Sequence, residues 1–174
     1  MKHLPILSLL ALGTATASAA YVPSSLFSSN LEVGYSQVST DGVAGHLDSW
    51  NISATAYLGQ SDFFVNAQTT VGGDFGNGAD EVSLGYRLKN VGNLADVALA
   101  VGSNETYGVA LHRALGAGFG AWAGYQHRAD GHDVAVTLSK SLTRNISVDL
   151  SYVWRTNDVS ADQDLWNLGV RYKF

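Results

Sequence analysis

Cysteine is absent from all 174 residues, and that absence removes two possibilities at once. There is no lipobox to carry a lipid anchor, and no disulfide to staple a small extracellular scaffold. Long apolar runs are missing as well. Beyond residue 20 no stretch is apolar for the ~18 residues of a membrane-spanning helix, so helical spans are excluded on length. Positive charge is scarce: 10 Lys and Arg stand against 15 Asp and Glu. Removing Lys2 with the leader described next leaves 9 against 15, or −6, which argues against nucleic acid as a partner. The length suits one domain.

Met1, Lys2 and His3 precede an apolar run from Leu4 to Leu12 and a small-residue stretch from Gly13 to Ala20, the layout of a secretory signal peptide. The run is well short of the roughly 20 residues that span a bilayer. Small residues at Ala17, Ala19 and at Ser18, Ala20 admit cleavage after either Ala19 or Ala20. The expected organisation is therefore a signal peptide over 1–20, a short periplasmic segment over 21–30 and one β-domain over 31–174.

Period two runs through that domain. Ile146, Val148, Leu150, Tyr152 and Trp154 share one face, with Ser147, Asp149, Ser151 and Arg155 on the other, which is a strand with two unlike faces. Val82, Leu84, Tyr86, Leu88 and Val134, Val136, Leu138 repeat the division. Ten such segments are predicted, over 31–38, 47–58, 62–71, 79–89, 95–103, 106–115, 118–128, 132–142, 146–156 and 163–174. Turn signals separate them, among them Gly59-Gln60-Ser61, Gly92-Asn93, Gly116-Ala117 and Thr143-Arg144-Asn145. The fold class is all-β: an antiparallel up-and-down barrel of about ten strands, with eight as the alternative.

Alternation alone does not choose the solvent, since soluble barrels alternate too. Three features choose lipid. The polar face is mostly Gly, Ser, Ala, Thr and Asn with a few charges, which suits a crowded lumen better than bulk water. Charges on the apolar face, at Arg113, Lys140, His127 and Asp164, all fall at strand ends, where a lipid-side charge costs about 0–1 kcal/mol rather than ~2–4 at the midplane. Trp50, Tyr107, Tyr125, Trp154 and Trp166 approach one set of loops, and Phe63, Phe119 and Phe174 the opposite turns, as two interfacial girdles do.

The final segment places Trp166, Leu168, Val170, Tyr172 and Phe174 at every second position. It resembles the C-terminal assembly signal of Gram-negative outer-membrane barrels, and the whole mature chain resembles in pattern the small barrels of the OmpA transmembrane domain, OmpX and YfaZ-like class. The resemblance implies residence in the cell outer membrane among its lipids and lipopolysaccharide. It also implies delivery by periplasmic chaperones and insertion by the barrel-assembly machinery, as a monomer with both termini periplasmic.

Alternation directs Glu32, Glu81, Arg87, Asp133, Asp149, Arg155 and Arg171 into the lumen as a polar network, with Asp149 and Arg171 expected directly opposite one another in the last hairpin. Barrels of this size are filled by side chains, and Tyr57, Phe64 and Trp122 also point inwards. The expected role is thus structural or at the envelope surface, with a narrow solute channel as alternative and adhesin or lipid-modifying enzyme behind it. His46, His112, His127 and His132 offer bases but no nucleophile motif accompanies them. Asp74, Asp80, Asp130, Asp133, Asp158 and Asp162 match no metal-site spacing. No enzyme activity, cofactor or metal is expected.

Overall fold

The computed structural model describes residues 23–74, 81–103, 105–158 and 160–174; the leader expected over 1–20, and Asp80, lie outside these. Ten antiparallel strands form a closed barrel in which each pairs with its chain neighbours and the first closes on the last. They are β1 (Asn30–Thr40), β2 (Leu47–Tyr57), β3 (Phe63–Gly73), β4 (Glu81–Val91), β5 (Ala95–Gly102), β6 (Tyr107–Gly116), β7 (Phe119–Arg128), β8 (Gly131–Ser141), β9 (Ile146–Asn157) and β10 (Gln163–Lys173). Closure satisfies every edge, which is the condition a sheet must meet in hydrocarbon. The eight-strand alternative falls away.

Side chains alternate as the pleat requires. Outward stand Leu84, Val136, Leu150 and Leu168, between 42% and 55% exposed along the wall. Inward stand Asp133, Asp149, Asn167 and Arg171, all at 1% or less. This inverts the distribution of a water-soluble domain, and it follows from the alternation itself, because apolar positions have nowhere else to go. Both aromatic sets are exposed on the outer surface, with Trp166 at 52% and Phe174 at 71%. Tyr152 packs between Trp154 and Trp166 at 4.5 and 4.6 Å. Of the charges at strand ends, Lys140 lies 4.0 Å over the Phe119 ring and donates to the Ala117 carbonyl at 2.6 Å, so its head leaves the apolar belt for the turn.

The seam runs from Asn30↔Lys173 to Thr40↔Gln163, so β1 starts and β10 ends at the same end of the barrel, here termed the termini end. One register differs from expectation. Asp149 faces Gly169, and Arg171 faces Ser147. The β9–β10 loop sets this: the Asn157 amide donates to Asp162 at 3.0 Å and Asn157 Nδ2 to the Ala161 carbonyl at 2.8 Å, which brings Gln163 opposite Arg155 and fixes every later pair.

Ahead of β1, Pro23–Phe27 forms a short 3-10 turn. The segment expected to lie in the periplasm is, over this part, folded into the barrel: Ser24, Leu26 and Phe27 are 0%, 4% and 8% exposed.

Candidate functional site

The lumen is the candidate site, and its contents differ by level. At the end away from the termini, Asp133 stands directly opposite Arg155. It accepts from Arg155 Nε at 3.0 Å and Nη2 at 2.9 Å, and from Arg128 Nε at 3.1 Å. Arg128 also donates to Asp130 at 2.6 Å and Asn157 at 2.9 Å. Two guanidiniums thus share one buried acid, with a fixed fork geometry that lysine would not reproduce. Below them the Asn51 amide donates to Ser36 Oγ at 2.7 Å and Ser36 to Asn167 Oδ1 at 3.0 Å, while Thr137 and Ser151 pair at 2.8 Å.

Towards the termini, Arg171 reaches diagonally past the pair position to Asp149 at 3.1 Å and to Ser147 and Ser139 at 3.3 Å. The expected ion pair therefore forms without the expected register, because a diagonal neighbour lies within the span of a long side chain. Gly169 opposite Asp149 has a second consequence. A Cβ there would lie 2.6 Å from Glu32 Oε1, so Glu32 fits only because the position is glycine. Glu32 is opposite Arg171 across the seam, yet both its carboxylate oxygens are buried without a hydrogen-bond partner among the described residues.

On β4 the charges are partnered differently. Glu81 accepts from Gln68 at 2.9 Å, Gln126 at 2.8 Å and Thr106 at 3.1 Å, all neutral donors. Arg87 bonds Asp62 at 3.0 Å and lies 4.7 Å over the Tyr57 ring. Asp62, in the turn before β3, is held below the usual carboxylate range by hydrogen bonds from Lys89 and then Arg87. All seven expected network residues face the lumen, but they form separate groups rather than one continuous chain.

The inserted turn is what the sequence did not reveal. Arg171 donates to the Ser24 carbonyl, Tyr57 to that of Leu26 at 2.8 Å and Arg87 to that of Phe27 at 2.9 Å. The Ser24 hydroxyl donates to Asp149 at 3.0 Å. His112 stacks on Trp122 at 4.6 Å and meets the Phe27 ring at a tilt, 5.4 Å away. Leu26 borders a cavity of about 20 Å³ beside Glu81, room for about one water. Phe27 borders one of about 300 Å³ at the termini end, with Trp122, Ser139, Arg171 and Lys173.

Among the described residues the histidines do not assemble a site. His112 is 3.9 Å from Asp96 inside the barrel, whereas His127 and His132 face each other on the outer surface beside Tyr107 and Tyr125. Three of the loop acids are engaged by neighbours: Asp74 accepts the Asp48 amide at 2.8 Å, Asp162 that of Asn157, and Asp130 the Arg128 guanidinium.

No family model and no curated relative matches the chain. Solved structures do. The COG4313 outer membrane channel from Pseudomonas putida F1 is 14% identical, with 92% of this chain and 98% of that one covered and a TM-score of 0.50. The S-type phycobiliprotein lyase CPES from Guillardia theta is 6% identical, covering 86% and 89%, at 0.52. The KdgM porin is 13% identical, covering 82% and 99%, at 0.49. Such likeness shows the barrel, not a task, for a membrane channel and a lyase share it. Surface chemistry completes the assignment. A closed antiparallel barrel with an apolar outer wall and a polar, side-chain-filled interior is an outer-membrane β-barrel.

Proposed function

We propose that the protein is a closed β-barrel of the Gram-negative cell envelope with a structural or surface role, and that it is neither an enzyme nor a constitutively open pore. One observation carries this reading: the lumen is filled by side chains, with Arg128–Asp133–Arg155 paired towards one end and Arg171–Asp149 towards the other, and residues of the inserted turn are buried within it. A path that conducts must offer sites an ion can both enter and leave, and buried guanidiniums locked onto carboxylates offer none. Lipids and lipopolysaccharide are the partners of the outer wall, periplasmic chaperones and the barrel-assembly machinery those of biogenesis, and the mature barrel is a monomer with both termini periplasmic. Trp166, Leu168, Val170, Tyr172 and Phe174 form the lipid-facing row of the seam strand, which suits an assembly signal.

The test is single-channel recording from the refolded barrel in a planar bilayer, with heat-dependent gel migration as the check on folding. Silence from a folded barrel supports the closed reading. Sustained ohmic openings overturn it in favour of a narrow channel, the second reading, which the cavity of about 300 Å³ at the termini end favours.

A further inference from the structure

The turn at Pro23–Phe27 occupies a site the barrel builds for it. Donors from three strands, Arg171 on β10, Tyr57 on β2 and Arg87 on β4, converge on the carbonyls of Ser24, Leu26 and Phe27. Asp149 on β9 accepts from the Ser24 hydroxyl. A guanidinium aimed at a backbone carbonyl recognises a peptide, whatever its side chains. On β4, β5 and β6 the wall is cut back to small residues at Gly85, Ala98, Ala100, Gly108 and Ala110, with Ala98 and Ala110 at 0% exposure. The Phe64 ring fills the space at Gly85, and Ala100 and Gly108 border the same small cavity as Leu26.

The turn also separates two cavities. Leu26 borders the small one beside Glu81, and Phe27 the large one at the termini end. Yet it contributes no strand. β1 pairs with β10 and with β2 from Asn30 onwards, so the ladders close without residues 23–28.

We propose that the barrel is a latent pore for small hydrophilic ions and that residues 23–28 are its plug, a peptide held in a dedicated lumen site. The plug rests on the reading of the chain as a membrane-inserted, closed barrel. Withdrawal of the segment joins the two cavities along the small-residue wall of β4–β6 and leaves the ion pairs of β7–β10 in place.

Three proteins are compared in planar bilayers, each checked for folding by heat-dependent migration: the unaltered chain, the chain lacking residues 23–28, and Ser24→Asp, which sets a second carboxylate against Asp149 without shortening the chain. The deletion and Ser24→Asp are expected to raise open time at least tenfold over the unaltered barrel. A synthetic peptide with the sequence of residues 23–28, added on the side bearing the termini, is expected to close the deletion variant again. Folded variants that stay silent, or that conduct no more than the unaltered barrel, overturn the plug. Openings that the peptide leaves unchanged overturn the dedicated site. Failure of the unaltered chain to insert at all overturns the membrane reading and the plug with it, whereas insertion with silence in both variants overturns the plug alone.

Discussion

The two halves of the lumen solve the same packing problem differently. From β7 to β10, long charged side chains pair across the interior, as in Arg128–Asp133–Arg155 and Arg171–Asp149. From β4 to β6 many inward residues are small, as at Ala98, Ala100, Gly108 and Ala110, the Glu81 carboxylate is met by amides and a hydroxyl, and part of the volume is made up by a segment from outside the sheet. Strand pairing follows suit: it is long at the seam, but between β5 and β6 it extends only from Asp96↔His112 to Val101↔Tyr107. A barrel can therefore be rigid on one side and adaptable on the other while its outer wall stays uniform.

The largest expected effect separates the halves by the kind of partner each acid has. Asp133→Ala removes the acid that two buried guanidiniums share, a loss of about 3–5 kcal/mol for a broken buried pair. Glu81→Ala leaves only neutral donors unsatisfied, at about 1–3 kcal/mol. Urea unfolding from lipid vesicles reads both. Equal losses break the contrast, because they show that charge pairing adds nothing beyond ordinary hydrogen bonding.

The next effect asks whether the asymmetry reaches the wall. Val136→Arg on β8 and Leu99→Arg on β5 each place a cation on an outward position 42% and 46% exposed near the middle of a strand, where the cost is about 2–4 kcal/mol. Similar losses in the same urea assay confine the difference to the lumen. A much smaller loss at Leu99 places the β4–β6 wall in a thinner or wetter belt. Smaller again is Ala110→Leu, which inserts three carbons against the plug on the small-residue side. It should cost about 1–3 kcal/mol in the intact chain, as overpacking does, and close to nothing once residues 23–28 are deleted. A penalty that survives the deletion means that something other than the turn fills that space.

Strand positions and faces were legible in the sequence because period two depends only on local alternation, and Leu150 against Asp149 declares it without any knowledge of neighbours. Pairing was less so. Asp149 and Arg171 were readable as partners from their shared face, but the register that sets Gly169 opposite Asp149 depends on how Asn157 and Asp162 close a loop. That Arg128 and Arg155 share Asp133 lies further out of reach, since it combines registers across three strands. The plug left no signal at all. Six residues carry no periodicity, and the barrel holds them mainly through Ser24, Leu26 and Phe27 carbonyls, groups every residue has.

The smallest effect lies where the two halves are tied at the termini end. Asp62 bonds Lys89 at 2.8 Å and Arg87 at 3.0 Å, and Arg87 in turn holds the Phe27 carbonyl. Because these cations lower the Asp62 pKa in the folded state, its contribution to stability is complete above the ordinary carboxylate pKa of about 4. It disappears as pH falls through the lowered value. Asp62→Asn should therefore leave the urea midpoint little changed in acid and lower it slightly at neutral pH, since the side chain is 26% exposed and solvent screens the pair. Its acid-induced drop is correspondingly shallower than that of the unaltered chain. Parallel curves at all pH values mean that Asp62 is merely solvated and that Arg87 is held in place by Tyr57 and the plug carbonyl alone.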